Sequence, residues 1–114
     1  MLVYGIPNCN TVKKALDWLK ANQIEFEFHD YKKKGISKAK LEAWAAELGW
    51  EALLNKKGTT WRMLPQDIQA GITTKERAFE LMIEKPSLIK RPLVESKPLL
   101  LGFDEQLYAK NLKK

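Results

Sequence analysis

Leu2-Val3-Tyr4-Gly5-Ile6-Pro7-Asn8-Cys9-Asn10-Thr11-Val12-Lys13-Lys14-Ala15-Leu16 is the stretch on which the reading of this chain turns. Leu2-Val3-Tyr4 is a short apolar run of strand type, and Gly5-Ile6-Pro7-Asn8 is a turn cluster that ends it. From Cys9 the period changes. Val12, Ala15, Leu16 and Leu19 recur at helical spacing, while Lys13, Lys14, Asp17 and Lys20 take the opposite face. Asn22-Gln23 closes that helix. Ile24, Phe26 and Phe28 then alternate with Glu25, Glu27 and His29, the pattern of a half-buried strand. A strand-helix-strand order with a crossover of this length joins parallel strands in the right-handed sense.

Outward from there the signals are mostly helical. Ser37 caps a helix whose apolar face carries Leu41, Trp44, Ala45 and Leu48, with Gly49 as its stop. Trp50 to Leu54 reads as a short helical turn, Asn55 to Arg62 as a polar loop, and Leu64 to Ile68 as a further turn with Pro65 near its start. Thr73 and Glu76 form a capping-box pair for a helix through Ala78, Leu81 and Met82 that stops at Pro86. Leu93-Val94-Glu95 and Leu99-Leu100-Leu101, split by Ser96-Lys97-Pro98, predict an antiparallel hairpin. Asp104 caps a terminal helix with Leu107 and Tyr108. The expected fold is α/β: strand-helix-strand, a helical block over about residues 36–86, a hairpin and a C-terminal helix, the order of a thioredoxin-like domain. A length of 114 residues predicts a single domain over 1–114.

Composition narrows the chemistry. Cys9 is the sole cysteine, so no internal disulfide forms, and any redox cycle must take its second sulfur from another molecule. A lone thiol suits a reducing compartment. No aliphatic run exceeds Leu99-Leu100-Leu101, far short of a span, so no membrane association is expected. The chain opens on a strand-like run with no basic segment before it, which gives the expectation of a cytoplasmic protein without a secretory leader. The formal charge of +6 suits either an anionic partner or simple solubility. Lys32-Lys33-Lys34 and Lys113-Lys114 read as solvated loop and tail charge. The scattered lysines and the lack of a recognition helix argue against nucleic acid. His29 has no second histidine or neighbouring cysteine to share a metal, so none is expected. There is no phosphate-binding glycine loop, dinucleotide fingerprint or serine elbow.

Cys9 stands where strand hands over to helix. Unpaired N–H groups and the positive end of the helix dipole favour a thiolate there, below the free value of about 8.5. Lys13 lies one turn along, and Asn8, Asn10 and Thr11 are polar neighbours of the sulfur. The competing reading is an inert buried cysteine, to which Asn8 and Asn10 are poorly suited. The missing second cysteine at Val12 excludes a CxxC dithiol mechanism. Arg91-Pro92, just before a strand, reads as a turn with either a cis bond or a trans bond and a solvated arginine. The loop Asn55-Lys56-Lys57-Gly58-Thr59-Thr60-Trp61-Arg62 is rich in donors, and equally reads as a surface loop anchored by Trp61.

These residues carry a resemblance. Tyr4 to Ala15, Glu51-Ala52-Leu53-Leu54-Asn55-Lys56, Thr59-Thr60-Trp61-Arg62, Pro86 to Pro92 and Gly102-Phe103 together resemble the arsenate reductase (ArsC)/Spx family, nearest its YffB subgroup. The resemblance implies a thioredoxin-like fold with a helical insertion, a nucleophilic Cys9, and a cis Arg91-Pro92 bond beside it. It further implies a thiol-dependent oxidoreductase with glutathione as co-substrate, no bound cofactor, and glutaredoxin as a partner. Asn8, Asn10, Thr11, Lys13, Asn55, Lys56, Arg62, Arg91 and Pro92 would then surround the substrate or glutathione. Of the three arginines that hold the oxyanion in the glutathione-coupled arsenate reductases, Arg91 is retained, whereas Asn55 and Gly102 stand at the other two places. Each charge-assisted contact to a buried oxyanion contributes about 1.5–3 kcal/mol, so the resemblance implies a weakened arsenate pocket. A glutathione- and glutaredoxin-coupled arsenate reductase with that weaker pocket is one alternative expectation; Spx-like members bind RNA polymerase as regulators, which gives the other, a non-enzymatic partner protein.

Overall fold

A computed structural model of the protein describes residues 1–113. It divides into two compact units, one of residues 1–31 with the segment from Arg91 onward, the other of residues 32–90.

The first unit is built on a four-stranded sheet in the order β2-β1-β3-β4, from β1 (Leu2–Gly5), β2 (Glu27–Asp30), β3 (Leu93–Val94) and β4 (Leu100–Leu101). β1 and β2 run parallel, with Val3 opposite Phe28 and Tyr4 opposite His29, joined through helix α1 (Asn10–Ala21) as the crossover length requires. β3 lies antiparallel to β1, with Tyr4 opposite Leu93, and β4 completes the predicted hairpin with Leu101 opposite Leu93. The Ser96 hydroxyl donates to the Pro98 carbonyl at 2.8 Å and closes the hairpin turn. Helix α8 (Glu105–Leu112) is capped by Asp104, whose Oδ1 accepts from the N–H groups of Gln106 and Leu107. Val3, Ala15, Leu19, Val94, Leu100 and Tyr108 form one buried cluster, flanked by Trp18, Phe28 and Phe103. Trp18 and Phe103 meet the Tyr108 ring edge-on at 5.7 and 5.0 Å. The Tyr108 hydroxyl donates to the Gly102 carbonyl at 2.7 Å, so the ring is buried without orphaning its polar tip.

Strand β2 is shorter than the alternation predicts. Ile24 and Phe26 pack on the core but make no ladder, because β1 begins at Leu2 and its register meets β2 first at Glu27. The Ile24 N–H is instead spent on the Leu19 carbonyl at 3.0 Å, at the end of α1.

The second unit is helical. Short helix α2 (Tyr31–Lys34) opens across the boundary, so the lysine run expected in a loop forms an exposed helical turn. Then come α3 (Lys38–Leu48), α4 (Trp50–Leu53), α5 (Thr59–Arg62), α6 (Gln66–Ala70) and α7 (Lys75–Glu84), followed by a 3-10 turn at Pro86–Leu88. Ser37 caps α3 by accepting the Lys40 N–H. The cap of α7 is Thr74, which accepts from Arg77, and not Thr73: the Thr73 N–H is turned back onto the Gly71 carbonyl. Residues 59–62, expected in a loop, are helical. Asn55 Oδ1 accepts the Lys57 N–H at 3.2 Å and tightens the turn, so that Thr59 can open α5. Leu41, Trp44, Leu53, Ala78, Phe79, Met82 and Leu88 fill this unit's core. Among the described residues no helix is long and apolar enough to cross a membrane.

Gly5 is where strand and helix approach most closely. A Cβ there would stand 2.9 Å from Val12 Cγ2 and 3.4 Å from Phe28 Cε1. Val12 is fully buried and stiff at χ1, so it cannot yield. Gly5→Ala is expected to lower stability by about 1–3 kcal/mol in urea unfolding, the usual cost of overpacking; an unchanged midpoint would show that α1 is not held against β1 at this point.

Candidate active site

Cys9 is the N-cap of α1, with extended backbone at φ −119° and ψ 123°. β1 ends at Gly5, and the turn through Pro7 and Asn8 delivers the cysteine to the helix start. Its carbonyl accepts the Lys13 N–H at 2.9 Å, the first bond of the helix. No side-chain cap serves this helix start, and the first N–H groups of α1 point toward the sulfur instead. The thiol is half-buried. Burial alone would push its pKa up. The N–H groups of Val12 and Thr11, then the charge of Arg91 and a hydrogen bond from its guanidinium, together outweigh that and hold the thiol below its ordinary value.

Arg91 reaches the sulfur because of β3. The antiparallel pairing of β3 with β1 runs to Tyr4 opposite Leu93, two residues after Arg91, so Arg91 lies near the end of β1 from which the turn to Cys9 leaves. The Arg91-Pro92 bond is cis, and Pro92 is buried. The Pro92 carbonyl accepts the Gly102 N–H at 2.8 Å, which ties the segment to the end of β4. Gly102 has φ +83°, a conformation that side chains rarely adopt.

The residues singled out in the sequence fall into both units. Cys9, Asn8, Asn10, Thr11, Lys13, Arg91 and Pro92 belong to the first, and there Cys9, Arg91 and the main chain of Thr11 and Val12 come together. Asn8, Asn10, Thr11 and Lys13 have exposed side chains. The donors to the sulfur from the helix start are main-chain groups, including that of Val12, an apolar residue that no motif reading of side chains would select; the capping position of Cys9 was the available signal. Asn55, Lys56 and Arg62 belong to the second unit. Asn55 is half-buried and donates its N–H to the Leu88 carbonyl at 2.7 Å. The Lys56 ammonium stands 5.6 Å from the centroid of the Trp61 ring, a cation–π contact, and Arg62 is exposed. No group of three or more His, Cys, Asp or Glu side chains among the described residues could hold a metal ion.

Residues 4–111 match the ArsC family. The chain belongs to that family. Among solved structures this ArsC-family chain is similar to the YFFB (PA3664) protein, at 43% identity and a TM-score of 0.91 over 97% of both chains. It is also similar to an arsenate reductase (ArsC) related protein from Brucella melitensis, at 40% identity and a TM-score of 0.74, over 99% of this chain and 94% of that one. Among curated relatives, the regulatory protein MgsR of Bacillus subtilis is 32% identical over 89% of this chain and 81% of its own. The fold is thus the thioredoxin-like arrangement of ArsC relatives, and at the coarse level the family supports a thiol-dependent reductase.

Proposed function

We propose that this ArsC-family protein is a glutathione-dependent thiol reductase in which Cys9 is the nucleophile. The reading rests on one observation: the chain's only cysteine is solvent-reachable at a helix start, with two main-chain N–H groups and the Arg91 guanidinium on its sulfur. The Cys9 thiolate attacks the glutathione sulfur of a glutathionylated substrate. The old S–S bond breaks, and the substrate thiolate leaves with the electron pair and takes a proton from solvent. Cys9 is left as a mixed disulfide with glutathione. A second glutathione thiolate, or that of a glutaredoxin, attacks the glutathione sulfur of this adduct and releases Cys9 as thiolate. The two electrons come from glutathione. Arg91 would hold a glutathione carboxylate, with Asn8, Asn10, Thr11 and Lys13 lining the approach.

Glutathione disulfide added to the protein is expected to add the mass of one glutathione to Cys9, and excess reduced glutathione to remove it. Alkylation of Cys9 without any such adduct would contradict the reading. Arsenate-dependent turnover in the same assay would move the substrate from disulfide to oxyanion. The kinship with MgsR favours a second reading, a regulator that binds RNA polymerase. Polymerase recovered equally by the protein and by Cys9→Ser, with no turnover of any thiol substrate, would support that one.

A further inference from the structure

Gly102 stands at the end of the sheet from which the turn to Cys9 leaves. β1 runs toward that turn, β3 pairs antiparallel with it as far as Tyr4 opposite Leu93, and β4 ends with Leu101 opposite the same Leu93. Gly102 comes next in the chain, and its N–H donates to the Pro92 carbonyl at 2.8 Å. Pro92 follows Arg91 through the cis bond, and the Arg91 guanidinium donates to the Cys9 sulfur. An unbroken path of contacts therefore runs from the sulfur through Arg91 and Pro92 to Gly102, all within the first unit.

Gly102 is held rigidly there. Its carbonyl accepts the Tyr108 hydroxyl at 2.7 Å, so both of its main-chain polar groups are bonded. Its own chain neighbours aside, no heavy atom of the described residues stands within 4 Å of the place a Cβ would take. A Cβ at Gly5 would strike Val12, whereas one at Gly102 would enter open space. Packing thus does not demand a glycine at this point. The φ of +83° disfavours most side chains, but asparagine visits that region. What any side chain would remove is the room itself.

We propose that Gly102 is a specificity-determining residue of the Cys9 site, its missing side chain leaving room at this end of the sheet for the peptide-sized half of a disulfide substrate. The proposal rests on the reading of Cys9 as the nucleophile of a thiol reductase, and it names the substrate class: disulfides that carry a peptide beside the attacked sulfur. The thiolate attacks along the S–S axis with the leaving sulfur on the far side. The half that becomes bound to Cys9 must therefore lie against whatever borders the thiol, and Arg91, Pro92 and Gly102 are that border.

Two neutral alkylating agents of the same chemistry and different bulk test it, iodoacetamide and pyrenyl iodoacetamide. In each the Cys9 thiolate displaces iodide from the same type of carbon. Rates are compared for the parent chain and Gly102→Asn at about pH 10, above the free-thiol value. Gly102→Asn is expected to slow the pyrenyl reagent about tenfold or more while the iodoacetamide rate stays within about twofold, the discrimination that one added group in a pocket produces. A ratio of the two rates that the substitution leaves unchanged overturns the proposal. So does an equal loss with both reagents, which is what a purely structural glycine gives. The glutathione adduct is scored separately on the parent. An adduct with an unmoved ratio removes this proposal alone; a lowered ratio in Gly102→Asn without any adduct on the parent supports it and removes the glutathione reading alone. Should Gly102→Asn fail to fold, the parent chain decides: its pyrenyl-to-iodoacetamide ratio is expected to lie within about threefold of that of free cysteine, and a lower ratio overturns the proposal.

Discussion

Cys9→Ser is expected to abolish the glutathione adduct and to reduce thiol turnover to the uncatalysed background. The serine hydroxyl fits the same cap position, and the N–H groups of Thr11 and Val12 and the Arg91 guanidinium remain in place. What is lost is the ionisable sulfur, because a hydroxyl stays protonated where a thiol does not. The same variant exposes the linkage between ionisation and folding. The folded-state pKa of Cys9 is depressed, so the thiolate contributes stability that is fully present above the unfolded value of about 8.5 and is lost as pH falls through the folded one. The stability gap between the parent chain and Cys9→Ser should therefore widen with rising pH across that interval and then level off. Urea unfolding at a series of pH values measures it. A gap that narrows with rising pH would mean that the fold penalises the thiolate.

The largest stability effect is expected at Trp44→Ala. Trp44 lies on the inner face of α3 with 1% of its surface exposed, in a unit that packs α3 against α4 and α7. Removing an indole from such a place typically costs about 3–5 kcal/mol, against a total of about 5–15 kcal/mol for a domain. Leu41, Leu53 and Phe79 are also buried and cannot all move to fill the space. Denaturant unfolding should show the loss directly, while Trp61→Ala, at a half-buried position, should cost clearly less. A loss below about 1 kcal/mol at Trp44 would show that α3 is not held by this side chain.

Both effects concern positions that the sequence marks strongly. Cys9 stands at a change of period from strand to helix, and Trp44 sits in a sustained helical stripe with Leu41. Elements at the ends of such patterns carry weaker signals. Ile24 and Phe26 alternate like strand residues because both reach the core, yet pairing depends on where β1 begins, which lies elsewhere in the chain. Thr73 and Thr74 are both competent caps, and only the turn onto Gly71 decides between them. Helix α5 opens after an Asx-type turn whose stability comes from Asn55 Oδ1, a contact with no periodic signature. At the site, motif reading finds Cys9 and Arg91, while the N–H of Val12 is visible only once the helix is assembled.

The central claim is that Cys9 is held anionic by the start of α1 and by Arg91. The rate of Cys9 alkylation by iodoacetamide, followed from pH 5 to pH 10, tests it most directly. A midpoint clearly below the free-thiol value of about 8.5, moving upward in Arg91→Ala, is the expected result. A midpoint at or above that value, indifferent to Arg91, would contradict the account.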